Sequence, residues 1–556
     1  MPAARHRRRF HSPWASLLLL AAQVGFCQGS DPADAETPSV TRADLERLGA
    51  TIRAIHITVD NVFDPNNPEE NKRLYRWANR VHIRTRDNVV ASVLLFQVGD
   101  RFSGRQLDET ARALRNRGFL AAASVEPRNY DAATNSVEIE VRVRDSWTLA
   151  PELRLSRGGG KNKYTVGLSD SNLLGTGKKV TALHSSSVDR NETVLGYSDA
   201  NVRGSRVTLN VSASDATDGY NRTFAAERPF YSLDTRWALG GAALNQRRVD
   251  TMYDLGEEVD EFRHDLKSVS LHGGLSAGAV GNRTRRWLFG VTDDENTFQP
   301  TPGTPVPLLL PPDRKLVYPW IGWQLVVDDY REMSELNDMG RTEDVALGWN
   351  IAATLGFAKR QFGSDRDATL FDASVQKGWE TGGPGRLLLL GAQASTRLEQ
   401  DTSRNTQVAA TASYYRRNLE KHLFSVSLST LVTQRLDPEN QVLLGGDNGL
   451  RGYPLRYQAG ERRTILNVEQ RFFTDWYPWR LFRVGYAVFA DAGRVGGRDP
   501  RATLSRGMLY DVGAGLRLSS PRSSGRSVVH IDLAFPLNRD PNIDRAQLVV
   551  ETRASF

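Results

Sequence analysis

The stretch Leu444-Gly-Gly-Asp-Asn-Gly-Leu-Arg-Gly-Tyr453 is a glycine-rich segment that contains one arginine, Arg451. Its glycines are Gly445, Gly446, Gly449 and Gly452. Because glycine has no Cβ, a segment of this composition can run close to a neighbouring surface. Stretches with strand-like alternation follow it. We therefore predict a loop that folds back against the strands that come after it.

Three downstream stretches, residues 466–473, 484–491 and 511–518, alternate with a period of two. One phase is apolar or small: Leu466, Val468, Phe472, Val484, Tyr486, Val488, Val512, Ala514 and Leu516. The other phase carries the polar groups: Asn467, Glu469, Arg471, Asp491, Asp511 and Arg517. This pattern is typical of membrane strands that turn apolar side chains outward and polar side chains into a barrel lumen. A loop arginine followed by inward carboxylates predicts a loop held in the lumen by charge.

These residues resemble the BamA/TamA superfamily of outer-membrane assembly factors, the bacterial surface antigen family. That family carries Arg-Gly-(Phe/Tyr) in its sixth loop, Phe-x-Asp-x-Gly on a late strand and Gly-x-Gly-x-Arg on the next strand. The matching elements here are Arg451-Gly452-Tyr453, Phe489-Ala490-Asp491-Ala492-Gly493 and Gly513-Ala514-Gly515-Leu516-Arg517. Each element is short, and the specificity lies in their order before the terminal Phe556, which we expect to end the strand that closes the barrel.

The resemblance and the residue types together predict an ion pair between Arg451 and Asp491, shared with Glu469. A guanidinium fork suits two carboxylate oxygens, and a lumen shielded from bulk water strengthens the contact. The role implied is structural or gating rather than chemical. The alternative interpretation is an ordinary arginine in a solvated surface loop.

The N-terminus predicts export. A basic start with Arg5, Arg7, Arg8 and Arg9 precedes a short apolar stretch, residues 14–26, which indicates a signal peptide over residues 1–29. Cys27 is the chain's only cysteine, so no disulfide can form within it. No later stretch has eighteen consecutive apolar residues, which predicts no membrane-spanning helix. The formal charge is +7, four units of which come from the signal, and this balance does not favour nucleic acid as a partner.

Residues 51–148 predict a small α+β domain after a linker at residues 30–50. The alternating stretches 54–59 and 137–143 read as strands, and residues 106–117 have helical periodicity. The segments Phe96-Gln-Val-Gly-Asp100 and Arg117-Gly-Phe119 resemble a single POTRA (polypeptide-transport-associated) domain. In that family the domain lies in the periplasm and offers strand edges to clients. The alternative is a folded plug or spacer.

Residues 151–556 predict a transmembrane β-barrel of about sixteen antiparallel strands, at about 25 residues for each strand and its connection. We place the first strand near residues 164–168 and the closing strand at residues 548–556. The barrel must close, because an open edge in lipid leaves backbone groups unpaired.

Motifs for enzyme chemistry are weak. The segment Gly175-Thr-Gly-Lys-Lys179 lacks the spacing of a phosphate-binding loop and reads better as a hairpin turn. The nine histidines include no metal pair at helical spacing, and we find no nucleophile elbow. We therefore predict no enzyme activity, no metal site and no cofactor.

The function implied by the resemblance is to assemble, insert or translocate client proteins at the bacterial outer membrane, through the POTRA domain and a lateral barrel seam. The implied partners are unfolded outer-membrane or secreted proteins and membrane lipids, with periplasmic chaperones left open. Two alternatives remain: a passive channel or dedicated exporter, and a structural barrel whose single domain is a docking site.

Overall fold

A computed structural model describes residues 40–383, 385–503, 507–525 and 527–553. The predicted signal peptide and Phe556 lie outside these residues. The prediction of a linker over residues 30–50 is wrong at its end, because helix α1 (Arg42–Leu48) begins there. The Thr41 side chain caps this helix by accepting a hydrogen bond from the Asp44 N–H, and Leu45 is buried in the core of the following domain.

The N-terminal domain packs helices against one face of a three-stranded sheet. Its elements after α1 are β1 (Thr51–Asp60), α2 (Arg73–Val81), α3 (Asp87–Ala91), α4 (Gly104–Arg115), β2 (Leu120–Asp131) and β3 (Ser136–Asp145). The sheet order is β1-β3-β2, with β3 parallel to β1 and antiparallel to β2. Helix α4 buries Leu107, Ala111 and Leu114, whose spacing places them on one helical face against the sheet.

Twenty strands form a closed antiparallel barrel after this domain. The first ten are β4 (Leu149–Gly158), β5 (Lys161–Asp170), β6 (Lys178–Ser186), β7 (Asn191–Asp199), β8 (Thr208–Ala216), β9 (Gly219–Arg228), β10 (Trp237–Asp254), β11 (Glu257–Val280), β12 (Arg283–Pro300) and β13 (Arg314–Val327). A hairpin of β14 (Tyr330–Ser334) and β15 (Thr342–Ala346) then interrupts the barrel order.

The barrel resumes with β16 (Asn350–Ala358), β17 (Ala368–Glu380), β18 (Arg386–Glu399), β19 (Thr402–Leu419) and β20 (His422–Gln434). The short strands β21 (Val442–Leu444) and β22 (Gln458–Gly460) pair with each other and are not part of the barrel sheet. The final strands are β23 (Arg462–Phe473), β24 (Arg483–Gly496), β25 (Leu509–Ser519), β26 (Val528–Pro536) and β27 (Gln547–Arg553).

The prediction of about sixteen strands is wrong, because most connections are shorter than we assumed. Strands and connections together take about 20 residues each between Leu149 and Arg553. The first strand is β4, so the predicted first strand at residues 164–168 is part of β5, the second strand. The loop that contains Arg451 is the eighth connection at its end of the barrel rather than the sixth, since four additional strands precede it.

Connections alternate between two mouths of the barrel. We call the mouth beside the N-terminal domain proximal and the opposite mouth distal. Along the described ranges, none of the helices has the length and apolar character needed to cross a membrane. Alternate residues of the strands face opposite sides: on β24, Tyr486 and Val488 are exposed outward, whereas Phe489 and Asp491 are buried inward.

Strands β27 and β4 meet at a seam with little pairing. Among the described residues, Arg157–Val550 is the one residue pair in register between them, whereas every other neighbouring pair of barrel strands shares seven or more residue pairs. Fewer paired residues mean fewer backbone hydrogen bonds to break, so the seam is the weakest part of the described barrel wall.

Candidate functional site

The segment between β20 and β23, residues 435–461, is the luminal loop. It enters the barrel from the distal mouth, and the pairing of β21 with β22 holds its two limbs together. Leu444, Leu450, Tyr453 and Tyr457 are buried, and they pack with Ile465, Val495 and Leu509 of the barrel strands. Apolar packing therefore contributes to holding the loop against the barrel wall, in addition to any contact between charges.

Arg451 contacts three carboxylates at once and is only 4% exposed. Its Nε lies 2.8 Å from Oδ2 of Asp491 and its Nη2 lies 3.0 Å from Oδ1, which is a bidentate contact. Its Nη1 lies 3.1 Å from Oε2 of Glu469 and 3.2 Å from Oδ2 of Asp532. The structure thus brings together the three residues named from the sequence, and it adds Asp532.

Two further arginines complete a luminal charge cluster: Arg451, Glu469, Arg471, Asp491, Arg517 and Asp532. Arg517 Nη1 lies 2.5 Å from Oδ1 of Asp532 and its Nη2 lies 3.2 Å from Glu469. Arg471 Nε lies 2.9 Å from Oε1 of Glu469. The six side chains hold three positive and three negative charges, so the cluster is neutral although it is buried, as burial of charge requires.

From the sequence, Arg517 was predicted to end the Gly-x-Gly-x-Arg element, whereas Arg471 and Asp532 were not predicted to be site residues. A signal for both was present. Arg471 lies two residues from Glu469, and Asp532 occupies the polar phase of an alternating stretch between Val529 and Phe535. Only the barrel's curvature, however, brings β23, β24, β25 and β26 around one guanidinium.

Phe489 and the glycines of the Phe-x-Asp-x-Gly and Gly-x-Gly-x-Arg elements shape the space around Arg451. The guanidinium carbon lies 3.3 Å from the centre of the Phe489 ring, which is a cation–π contact. A Cβ at Gly513 would lie 2.4 Å from the Phe489 ring, and a Cβ at Gly515 would lie 1.8 Å from Oδ1 of Asp532. Both glycines therefore admit neighbouring side chains, while Gly493 accommodates Leu450 and Leu444 of the loop.

Backbone contacts fix the luminal loop on both sides of Arg451. Asn467 donates from Nδ2 to the Gly449 carbonyl at 2.9 Å and to Asp491 at 2.7 Å. The Gly452 N–H donates to Asp511 at 3.2 Å, and the Tyr453 hydroxyl lies 2.7 Å from the Tyr510 carbonyl oxygen. Gly452 and Gly449 approach the barrel wall, where a Cβ would lie 2.8 Å from Asp511 and 3.1 Å from Ile465 respectively. Gly445 and Gly446 let the loop approach its own residues 453–457.

The loop also reaches the first barrel strand at the seam. A Cβ at Gly159, in the turn after β4, would lie 2.3 Å from the Leu455 nitrogen. Arg456 pairs with Asp189 of the turn between β6 and β7 through two contacts of 2.7 Å. The Arg456 guanidinium holds the pKa of Asp189 below its usual value. The turn between β4 and β5 is thus in contact with the luminal loop.

A second insertion enters the barrel from the proximal side. The proximal hairpin, residues 330–346, places Leu336 and Met339 among buried residues of β18, β20, β23 and β26. The Glu343 carboxylate accepts hydrogen bonds from the Leu336 and Asn337 N–H groups at 2.8 and 3.0 Å, which shapes the tip. Asp338 lies 2.8 Å from the Ser519 hydroxyl.

Arg471 connects the two insertions. Its Nη1 donates to the Leu336 carbonyl of the proximal hairpin at 2.8 Å, while its Nε contacts Glu469 of the luminal charge cluster. On its other side, the proximal hairpin contacts the N-terminal domain. Arg115 of α4 lies 2.5 Å from Asp344 and 2.7 Å from Glu332. A continuous set of polar contacts therefore links the luminal loop, the hairpin and the domain.

Within the described ranges, no group of His, Cys, Asp and Glu side chains has the arrangement of a metal site. The segment Gly175–Lys179, weighed above as a phosphate loop, contains the end of the proximal turn between β5 and β6 and the first two residues of β6. His264 is buried and contacts Asp250 at 2.7 Å and Asn296 at 2.9 Å, which is the environment of a structural histidine.

A closed antiparallel barrel with an apolar outer face, charged groups in its lumen and a folded domain at one mouth defines the class of outer-membrane barrel proteins. Residues 383–554 match the Omp85 superfamily domain, and residues 81–145 match the POTRA model described as a surface antigen variable number repeat. The chain carries an Omp85 superfamily domain preceded by a POTRA domain, which confirms the predicted resemblance. An Omp85 barrel implies the bacterial outer membrane, with the POTRA domain in the periplasm.

Solved structures to which the chain has some similarity include BamA from Haemophilus ducreyi lacking POTRA domains 1–3, at 14% identity and a TM-score of 0.38 over 91% of this chain and 85% of that chain. CdiB from Acinetobacter baumannii is 11% identical, with a TM-score of 0.44 over 91% and 73%. CdiB from Escherichia coli is 13% identical, with a TM-score of 0.38 over 95% and 93%. No curated protein matches the sequence.

Proposed function

We propose that this protein assembles, inserts or translocates client proteins at the bacterial outer membrane, through its POTRA domain and a lateral seam. The observation that carries this proposal is the single residue pair, Arg157–Val550, between β4 and β27 within the described residues. A parted seam exposes unpaired backbone groups, and in lipid these groups need a partner. A client strand can supply that partner by adding to the edge.

The luminal loop supports this function because it touches the seam. Leu455 packs against Gly158 and Gly159, which follow the paired part of β4. The charge cluster fixes the loop to β23, β24 and β26, so the loop ties the first hairpin of the barrel to its last strands. This tie keeps a weakly paired seam in register when no client is present.

The POTRA domain supports the same function through the outer strand edges of its sheet. Because β3 lies between β1 and β2, each outer strand has one side without a neighbouring strand of the sheet, although the start of β1 uses that side to bond residues 99–102. Client segments can add to such an edge through backbone hydrogen bonds alone, without a fixed sequence. Omp85 family members are assembly or transport proteins, which agrees with this use of the domain.

A dedicated exporter is the second candidate function, and the lumen favours it over a passive channel. Polar inward residues of β16 to β19 line a cavity of about 280 Å³: Thr354, Asp372, Ser374, Gln393, Ser395 and Gln407. The proximal hairpin packs inside the proximal end of the barrel against β18, β20, β23 and β26, and we infer that a protein passing through the lumen displaces it. An exporter therefore has to be gated.

Engineered disulfides separate the two routes. Arg157→Cys with Val550→Cys should close the seam, because directly paired residues of antiparallel strands lie within disulfide distance. Ser212→Cys with Thr223→Cys, a pair within the well-paired β8–β9 ladder, is the matched control. The native Cys27 lies in the predicted signal peptide, so it does not compete. The readout is quantitative proteomics of outer-membrane and secreted proteins in cells that contain only the variant.

We expect the seam disulfide to deplete the clients, the control disulfide to leave them unchanged, and a reductant to restore them. Asp338→Cys with Ser519→Cys fixes the proximal hairpin instead and should block an exporter that uses the lumen. If the hairpin disulfide depletes the clients and the seam disulfide does not, the result would support export and contradict insertion through the seam. Unchanged clients with both disulfides formed would refute both functions.

A further inference from the structure

A basic cleft lies between the POTRA domain and the first two proximal turns after β4. Its volume is about 440 Å³, and its lining includes Arg86, Arg117, Lys178, Asp199, Asn201 and Arg203. Asp199 is the lining carboxylate, and it lies 3.8 Å from Lys178. Among the described residues, no ion pair joins Arg86, Arg117 or Arg203 to a carboxylate. The cleft therefore has an excess of positive charge.

The other side of the same domain shows that this excess is specific to the cleft. On helix α4, Arg105, Arg112 and Arg115 each pair with a carboxylate of a proximal connection, at 2.5 to 2.6 Å: Asp234, Asp328 and Asp344. In the cleft the barrel turns provide no such partners for the arginines. Burial lowers the pKa of Arg117, and repulsion from Arg206 lowers it further. A partly buried cation without a counter-ion favours the binding of an anion.

The two turns beside the cleft have the same construction. In the first, the Asn172 side chain accepts from the Gly177 N–H at 2.6 Å; in the second, the Asn201 side chain accepts from the Arg206 N–H at 2.7 Å. Two positions after its asparagine, each turn places a non-glycine residue at positive φ, Leu174 at 52° and Arg203 at 50°. Equivalent positions therefore present an exposed apolar side chain in one turn and a cation in the next.

The cleft borders the outward face of the barrel. Lys178 lies on the same side of β6 as Val180, and Asp199 lies on the same side of β7 as Leu195. Val180 and Leu195 are both exposed, as is Val211 on β8. Since outward apolar residues of a membrane barrel face lipid chains, the cleft lies at the level where lipid headgroups begin.

We propose that this cleft binds the phosphate group of an anionic amphiphile, with a phospholipid of the adjacent leaflet as the source. The guanidinium groups of Arg86, Arg117 and Arg203 donate to phosphate oxygens, for which planar guanidinium forks are suited. The acyl chains lie along Leu174, Val180 and Leu195. Bound lipid would fill the space between the domain and the barrel and hold the domain against the membrane surface.

The test uses the full-length protein in a neutral maltoside detergent, titrated separately with dihexanoyl phosphatidylglycerol and with inorganic phosphate, with binding followed by calorimetry. Arg117→Gln should weaken saturable binding about tenfold, which is the loss of one charge-assisted contact. Arg128→Gln is the matched control, because Arg128 lies in the same domain and pairs at the surface with Glu140. Arg203→Gln, on an exposed turn, provides a second variant if Arg117→Gln does not fold.

Leu174→Ser separates the two sources of phosphate. If the ligand is a lipid, this change weakens binding of phosphatidylglycerol and leaves inorganic phosphate unaffected. Equal binding of both ligands, unaffected by Leu174→Ser, would support a phosphate site and refute its lipid source. Saturable binding of neither ligand, or equal effects of the cleft substitutions and Arg128→Gln, would overturn the proposal.

Discussion

The luminal loop and the proximal hairpin enter the same barrel from opposite mouths, yet they are held by different forces. The loop is fixed by a buried, neutral charge cluster in which Arg451 contacts three carboxylates. The hairpin is held by apolar packing of Leu336 and Met339, by hydrogen bonds from its buried Arg341 to backbone carbonyls and by ion pairs to the POTRA domain. Both insertions therefore bury charge, which cannot leave its partners at low cost. The difference lies in the partners: the charge of the loop is paired with carboxylates of the barrel strands, whereas that of the hairpin depends on backbone carbonyls and on the neighbouring domain.

The largest expected effect comes from Arg451→Ala. This change leaves Asp491, Glu469 and Asp532 buried without their shared cation, and removal of one partner of a buried ion pair costs about 3–5 kcal/mol. We expect a lower unfolding temperature of the barrel in a heat-dependent electrophoretic mobility assay. Arg456→Ala in the same loop is the control, since its partner Asp189 is one-third exposed. Equal effects of the two changes would mean that the cluster does not anchor the loop.

Leu336→Ala tests the apolar seat of the proximal hairpin. Leu336 is 1% exposed, and truncation of a buried leucine costs about 2–5 kcal/mol. The loss of stability should affect the hairpin rather than the barrel. We therefore expect faster hydrogen exchange in residues 330–346 and frequent channel openings in a planar bilayer. Leu308→Ala, in an exposed distal connection, should change neither quantity. Loss of barrel stability with no increase in conductance would show that the hairpin is a fixed part of the wall.

Arg115→Gln probes the contact between the POTRA domain and the hairpin. The contact with Asp344 is largely buried, and loss of a hydrogen bond to a charged group costs about 1.5–3 kcal/mol. We expect the domain to separate from the proximal mouth more often, measured as faster exchange in α4 and at residues 342–346. Arg128→Gln, which removes a surface pair with Glu140, controls for loss of charge. Protection of α4 that does not change would show that other contacts seat the domain.

The smallest expected effect is the pH dependence of the contact between Arg456 of the luminal loop and Asp189. The pKa of Asp189 is below its usual value because Arg456 stabilises the carboxylate, so this contact contributes above the unfolded-state pKa and is lost as pH falls through the folded-state pKa. A pair this exposed contributes about 0.2–1 kcal/mol. Exchange at residues 454–457 should thus rise only in strong acid, and Asp189→Asn should remove this pH dependence. A transition near neutral pH in the wild type would contradict the assignment.

The sequence predicted the elements of the charge cluster better than its extent. Arg451, Glu469 and Asp491 were found because each lies in a motif or in a clear polar phase. Asp532 has the same phase but lies on β26, 81 residues from Arg451, and no local pattern indicates which strands face one another across a lumen. The number of strands was underestimated for a related reason, since turn lengths vary more than strand periodicity does.

The proximal hairpin was not predicted, because its strands are ordinary alternating residues. Nothing local distinguishes β14 and β15 from barrel strands: both are short, and Glu343 caps the hairpin tip only after the turn has formed. Their position inside the mouth results from the contacts of Leu336 and Met339 with strands that lie far away in sequence.

The sequence by itself determined the period-two alternation, the polar inner phase, the glycine-rich loop with its arginine and the α+β character of the N-terminal domain, because each depends on residues a few positions apart. The tertiary structure alone decided the closure at twenty strands, the single described residue pair at the seam, the neutrality of the cluster and the position of the hairpin. These features depend on which distant strands become neighbours, and the closed geometry of the barrel sets those neighbours.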